Sequence, residues 1–203
     1  SSSMGTHINV KDTAGTELQA ISKNKSGRAI IDPGPAPISF EMHLMVPLDA
    51  FGRSVVLQKL SGTSNGITLS VMSSTNASTT AQLMFTAASG TSYMNVSASV
   101  NKGMFNHVVA TFDRRPGYSR LMMFVNESLV DESQASVEFG NIDFKISPFL
   151  IGSGSAYVTS SAGGVVTPQQ TLTGALDELR VFHSARNVDQ QKLHGRKNIY
   201  ARD

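Results

Sequence analysis

Long stretches of this chain carry no charged residue and yet repeat apolar side chains at every second position. No Asp, Glu, Lys or Arg occurs between Lys59 and Lys102, or within residues 146–176. Inside the first stretch, residues 67–71 and 94–100 alternate strictly between apolar and Ser, Thr or Asn side chains. This alternation is the pattern of half-buried antiparallel strands with a polar outer face. The uncharged stretches are therefore predicted to be strands rather than linkers.

The same pattern continues through most of the chain, and clusters of Gly, Pro, Asn and Ser interrupt it. Further runs with alternating or short apolar sequence are 38–46, 105–113, 121–125, 149–152 and 172–182. Many short strands divided by turn-forming clusters predict an all-β fold, an antiparallel two-sheet β-sandwich. We expect 107–113, 121–125 and 172–182 to be central strands of its sheets.

The two ends of the chain have different patterns. Residues 7–10 fit an edge strand, and the Pro-rich connector at 32–37 is too stiff to form a helix. Residues 188–200 predict one short C-terminal helix, which Ser184 or Asn187 would cap. The C-terminal stretch carries Arg186, Lys192, Arg196, Lys197 and Arg202, which could contact phosphates or anionic glycans but are interpreted as the solvated face of this helix.

Length and charge limit what the chain can be. Its 203 residues fit a single domain, with an N-terminal strand and connector at 1–37 and the sandwich at 38–203. The formal net charge of +2 is too small for a nucleic-acid-binding protein. The absence of Cys excludes disulfides and thiolate sites. No apolar run reaches the roughly 20 residues that cross a bilayer, so no membrane insertion is expected.

The order of several motifs is more specific than the composition. A strand reads Phe105-Asn106-His107-Val108-Val109-Ala110-Thr111-Phe112-Asp113, and a later one reads Gly174-Ala175-Leu176-Asp177-Glu178-Leu179-Arg180-Val181-Phe182. Between them stand a hairpin, Phe124-Val125-Asn126, and the strand Phe149-Leu150-Ile151-Gly152. Over residues 38–193 the chain resembles the laminin G-like modules of the concanavalin A-like lectin/glucanase superfamily. The resemblance implies a jelly-roll sandwich followed by a short helix.

The motif residues that carry this resemblance are His107, Asp113, Asp177, Glu178 and Arg180, and we interpret them as structural. Alternation turns Leu179 inward, while Glu178 and Arg180 are expected to form a charge pair outside. The Asp177 carboxylate is expected to accept backbone N–H bonds near the start of its strand.

Carboxylate spacing argues against catalysis. Glucanases of the superfamily carry carboxylates two positions apart on one strand, which places them on the same face. In this chain Asp177 and Glu178 are adjacent, so alternation sends them to opposite faces. No other predicted strand has the required spacing. We therefore expect no enzymatic activity, and a glycan-active enzyme is the weakest of the alternatives.

The resemblance also raises the question of a metal. The five His residues have unrelated spacings, which gives transition-metal binding no support. Many relatives hold Ca²⁺, which needs only oxygen ligands, and this ion is the one cofactor that the resemblance implies. Asp32, Asp113, Asn126 and Asp177 carry suitable oxygens. Asp177 is the candidate ligand, although the same carboxylate could instead serve only the backbone.

Candidate ligand-binding residues are aromatic or basic. The chain has no Trp, so stacking on a sugar would fall to Tyr93, Tyr118 or Tyr157. Arg114 and Arg115, predicted beside Tyr118 in a hairpin loop, could contact an acidic sugar.

Together these features predict a non-catalytic recognition module that binds a glycan or a protein. It would belong to a bacterial, phage or viral surface assembly and act outside the cell, on a cell surface or on a virion. The alternative is a structural decoration module of a virion or appendage that contacts neighbouring subunits. Uncharged Ser/Thr-rich faces suit either role, because they lose their hydration more cheaply than charged faces.

Overall fold

The structure is a computed structural model, and it describes residues 8–10, 36–115, 117–135, 139, 147–160, 162 and 164–190. Two antiparallel sheets account for most of these residues, with one small hairpin beside them. The antiparallel β-sandwich predicted from the alternation is confirmed.

The first sheet has six strands, and its outer edges are a short N-terminal strand and a long hairpin strand. In spatial order it contains β1 (Ile8–Val10), β10 (Phe149–Ile151), β3 (Gly52–Leu60), β4 (Asn65–Ser73), β5 (Thr80–Ser89) and β6 (Ser92–Asn101). Every neighbouring pair is antiparallel. The edge strand expected at 7–10 is confirmed, since β1 pairs with β10.

The second sheet has five strands and contains the motif strands. Its spatial order is β13 (Ala175–Phe182), β2 (Ile38–Met45), β7 (Phe105–Arg115), β8 (Tyr118–Val125) and β9 (Ser128–Ala135). The small hairpin consists of β11 (Tyr157–Val158) and β12 (Val165–Val166). We expected 172–182 to be central, and this was wrong. The strand begins at Ala175 and lies at the end of the sheet order, next to β2.

The core lies between the sheets and consists of the apolar members of each alternation. Phe40 links the two layers, because its ring stacks on Phe149 at 5.9 Å and meets the edge of Phe85 at 6.3 Å. All three rings are at most 1% exposed. Burying one such side chain stabilises the fold by about 1.5–3 kcal/mol relative to leaving it in water.

The edge strand β13 departs from regular alternation. Its register with β2 shifts between Asp177 and Arg180, and Glu178 has a φ of 52°. Leu179 nevertheless packs against the core, as predicted. This contact explains why the sequence of an edge strand resembled that of a central one.

The C-terminal helix begins at residue 188. Asn187 caps it, because its side-chain oxygen accepts a bond from Gln190 N at 2.8 Å. The Gln190 side chain accepts in turn from Asn187 N at 3.2 Å, which completes a capping box. The rest of the predicted helix and the four basic residues after Arg186 lie outside the described residues.

Candidate functional site

A connecting segment crosses the outer face of the six-stranded sheet after β10. Gly154 permits its close approach, because a Cβ atom there would lie 2.7 Å from both Val55 Cγ2 and Gln58 Oε1. The Gln58 amide then ties the segment down by accepting from Ser155 N at 2.7 Å and donating to the Ser155 carbonyl at 3.0 Å. The segment thus lies firmly on a sheet face that the sequence predicted to be solvated.

Tyr157 anchors the same segment. Its hydroxyl lies 2.8 Å from Ser70 Oγ, and its ring is 1% exposed. Burial raises the pKa of this phenol, and the hydrogen bond with Ser70 acts in the opposite direction. Tyr157 was a predicted sugar-stacking platform, and the structure contradicts this role. A ring that is enclosed by protein has no free face for a ligand.

An open cleft of about 450 Å³ lies where this segment meets β6. The residues that line it are Thr91, Ser92, Tyr93, Asn95, Ala135, Phe139, Thr159 and Ser160. Alternation on β6 explains the outward direction of Tyr93 and Asn95, because Met94 and Val96, which alternate with them, are buried in the core. Of the predicted ligand-binding residues, Tyr93 is the one that lines this cleft.

Hydrogen bonds hold the polar side of the cleft in place. Asn95 Nδ2 donates to the Thr159 carbonyl at 2.7 Å, and its Oδ1 accepts from Thr86 Oγ1 at 2.7 Å. Across the cleft, Ser160 Oγ accepts from Gly164 N at 3.2 Å. The partly exposed Tyr93 ring and several fixed hydroxyl and amide groups therefore lie around one space, while the Phe139 ring beneath it is packed in the core against Phe112. Such a mixture suits an amphipathic ligand such as a sugar.

Sequence reasoning identified Tyr93 but missed the other lining residues. Asn95 could have been predicted, because it is two positions from Tyr93 in an alternating strand and therefore lies on the same face. Thr159 and Ser160 carried no such signal, because their position depends on how the connecting segment crosses the sheet.

The other predicted ligand-binding residues lie elsewhere. Arg114 belongs to strand β7 rather than to a loop, and it is 5% exposed. Its guanidinium donates to the Ala36 carbonyl at 3.1 Å and lies 5.0 Å from the centre of the Phe112 ring. The expectation that Arg114 contacts an acidic sugar is therefore wrong, because its side chain is used inside the fold.

Arg115 and Tyr118 face solvent on the five-stranded sheet. Arg115 pairs with Asp113 at 3.0 Å, although 68% of its own side chain remains exposed. Ser119, the next residue after Tyr118 on β8, is buried, so Tyr118 lies on the outer side of the strand. There Arg120 donates a hydrogen bond to the Tyr118 hydroxyl at 3.4 Å. Tyr93 belongs to the other sheet. The structure does not bring the predicted binding residues into a single site.

A charged cluster lies on the outer face of the five-stranded sheet, centred on Glu41. This carboxylate is 2% exposed, and His107 Nε2 lies 3.4 Å from it. Arg180 donates to it at 3.2 Å and Arg186 at 3.4 Å. Arg186 is 6% exposed, so its predicted place on a solvated helix face is wrong. The expected pair of Arg180 with Glu178 is present at 2.8 Å.

Opposing effects set the charge state of this cluster. Burial alone would raise the pKa of Glu41, but the hydrogen bond with His107 and the charges of His107, Arg186 and Arg180 lower it below its ordinary value. Burial lowers the pKa of His43, whose ring lies 5.1 Å from that of His107. Because Glu41 is enclosed and paired, this cluster offers no reactive group to a substrate, and loss of one partner would leave a buried charge uncompensated.

The candidate calcium ligands are dispersed. Asp177 Oδ1 accepts from Glu178 N at 2.8 Å, which is the backbone role predicted for it. Asn126 Oδ1 accepts from His107 N at one end of β7, while Asp113 lies near the other end. Asp32 is outside the described residues. Within the described part of the chain, no three His, Asp or Glu side chains form a group that could hold a metal ion.

Comparison with known proteins is consistent with this architecture. A model of the concanavalin A-like lectin/glucanases superfamily, of the laminin G type, matches residues 35–190. The chain belongs to this superfamily. The match confirms the resemblance that the motif strands carried. None of the curated proteins matches the sequence.

Three solved structures share the fold at low sequence identity. A heptameric SAP-like pentraxin from Limulus polyphemus has a TM-score of 0.54 and 17% identity, over 77% of this chain and 69% of its own. The CBM40 of a Ruminococcus gnavus IT-sialidase, bound to α2,3-sialyllactose, has a TM-score of 0.51 and 14% identity, over 91% and 95%. Domains LG4-5 of mouse laminin α1 have a TM-score of 0.55 and 13% identity, over 92% and 41%.

These likenesses show the fold alone. The chain spans less than half the length of the laminin fragment. In the described part of the chain, no helix has the length and apolar character of a membrane span.

Proposed function

We propose that this chain is a non-catalytic recognition module of an extracellular or surface assembly, and that it binds a glycan through the cleft at Tyr93. The observation that carries the proposal is the cleft itself, where the Tyr93 ring and fixed hydroxyl and amide groups lie around the same space. Sugars present both apolar C–H faces and hydroxyl groups, so they match such a surface. The sialyllactose-bound CBM40 has the same fold, which supports the choice of a glycan.

The absence of a charged group among the eight lining residues supports a binding role rather than a catalytic one. Glycoside hydrolysis normally needs two carboxyl groups on either side of the bond that is cleaved. Glu41, which is paired with His107, Arg180 and Arg186, lies on the other sheet. Binding without turnover is therefore the function that this surface supports best.

A glycan array followed by calorimetry tests the proposal, with Tyr93→Ala as the test variant. Loss of the aromatic face should weaken binding of the best glycan at least tenfold, which corresponds to about 1.4 kcal/mol. Tyr118→Ala is the matched control, because Tyr118 is also a partly buried tyrosine on a strand but lies on the other sheet. Its affinity should equal that of the unmodified protein.

Two results would contradict the proposal. If no glycan binds, the ligand is not a glycan, and a protein partner becomes the better hypothesis. If Tyr93→Ala and Tyr118→Ala bind equally well, the ligand lies outside the cleft. Thermal unfolding of both variants confirms that they are folded before binding is compared.

A further inference from the structure

A row of uncharged polar side chains continues from the cleft along β6. Asn95 lines the cleft, and Ser97, Ser99 and Asn101 follow it on the same outward side of the strand. All four are exposed, while the residues between them are core residues with at most 2% exposure. At roughly 3.3 Å per residue, the row from Asn95 to Asn101 is about 20 Å long. This length exceeds what a single sugar unit can occupy.

The neighbouring strand widens this row into a surface. Gln82 of β5 stands opposite Ser99, and Thr80 stands opposite Asn101, both of them exposed. Strands in a sheet are about 4.8 Å apart, so the two rows lie close enough to contact one ligand. Among the described contacts, no hydrogen bond engages the side chains of Ser97, Ser99 or Gln82. Their donors and acceptors face solvent.

The charges close to the cleft and the row disfavour a negatively charged ligand. Among the described residues, neither the eight that line the cleft nor the four of the row carry a cationic side chain. Arg53 of β3 lies on the same face but on the far side of β4 and β5, where it donates to Met72 Sδ at 3.0 Å. Asp131 of β9 stands beside the row, where its Oδ2 accepts from Ser97 N at 2.8 Å. A carboxylate at this position repels a negatively charged sugar, and no described arginine or lysine within the lining offsets it.

From these observations we infer that the ligand is an extended, uncharged glycan chain that runs from the cleft at Tyr93 along the row Asn95, Ser97, Ser99 and Asn101. The inference rests on the proposed function and specifies its ligand as a chain of several neutral sugar units. Each further sugar unit along the row gains hydroxyl and amide contacts without meeting a charge. Recognition of a single terminal acidic sugar would instead require a cation in the cleft.

The test measures affinity against chain length. The probes are ladders of neutral glucose, N-acetylglucosamine and mannose oligomers of two to six units, with α2,3-sialyllactose as the acidic probe. At least one ladder should gain affinity with length, by about tenfold from the shortest to the longest member, or about 1.4 kcal/mol. Sialyllactose should bind more weakly than a neutral trisaccharide.

Ser99→Glu tests whether the gain in affinity with chain length depends on the row, because the variant places a charge on the row away from the cleft. The variant should lose the gain with length and keep the affinity for the disaccharide. Ser184→Glu is the matched control, because Ser184 is exposed and follows β13, at the opposite end of the five-stranded sheet from β9; it should behave like the unmodified protein.

The outcomes separate this inference from the proposed function. Equal affinity at all lengths, tighter binding of sialyllactose, or an unchanged length dependence in Ser99→Glu would overturn the inference and leave glycan binding intact. If no neutral or acidic glycan binds, the proposed function fails, and the inference fails with it.

Discussion

Glu41 shows how one residue can connect three parts of the molecule. It lies on β2, and its partners come from β7, from the edge strand β13 and from the segment that precedes the C-terminal helix. That segment is also held by Ser39, whose Oγ accepts from Arg186 N at 3.1 Å and donates to the Ser184 carbonyl at 2.7 Å. Glu41 is therefore the electrostatic anchor for the last described part of the chain.

We predict that Glu41→Gln destabilises the protein by about 3 kcal/mol, because it leaves two nearly buried guanidinium groups with a weaker partner. Chemical denaturation measures the free energy of unfolding. Glu132→Gln is the matched control, since Glu132 pairs with Arg120 but is 52% exposed. The control should lose at most about 1 kcal/mol. Equal losses in both variants would show that the enclosure of Glu41 has no energetic consequence.

The sequence could not reveal the role of Glu41. In a strand with one solvated face, Ser39, Glu41 and His43 are the polar residues that alternation requires. Their burial depends on the return of a distant segment over that face, where Val188 also packs against Val109 and Phe124. The alternation of a strand predicts on which face of the sheet a residue lies, but it does not predict which other segment of the chain covers that face.

At the scale of elements, alternation predicted the strands better than their positions in the sheets. The run 94–100 forms β6 with the expected faces, because each apolar residue has only one side on which to be buried. The position of β13 at a sheet edge depends on pairing partners, which a single strand sequence does not specify. The cleft needed both kinds of information, so its Tyr93 was predictable and its Thr159 was not.

The edge strand β13 also allows a test of the calcium hypothesis. In the structure Asp177 accepts a backbone hydrogen bond, and among the described residues it belongs to no group of three or more His, Asp or Glu side chains that could hold a metal ion. We predict that EDTA leaves the melting temperature unchanged. Asp177→Asn keeps an acceptor of similar shape and should cost about 1–2 kcal/mol or less.

Differential scanning calorimetry with and without EDTA decides between these roles, because a metal that binds only the native state stabilises it by mass action. A drop of several degrees in the unmodified protein, absent in Asp177→Asn, would show that Asp177 ligates Ca²⁺.

At the scale of the whole molecule, the two outer faces of the sandwich differ in kind. The five-stranded sheet is covered by the C-terminal segment and stabilised by the Glu41 cluster. The six-stranded sheet is covered only in part, and what remains open at its β5–β6 side is uncharged and polar. The first face is closed by the C-terminal segment, and the second leaves an uncharged surface open to solvent.

This division predicts that the protein binds glycans without cleaving them. The described strands place no two carboxylates two positions apart, and the open face has none within its cleft. Incubation with a broad panel of polysaccharides should release no reducing ends above background, even for those glycans that bind. Tyr93→Ala should then weaken binding at least tenfold and leave this background unchanged. Turnover that a single Asp or Glu substitution abolishes would show that catalytic carboxylates meet in the folded protein despite their separation in these strands.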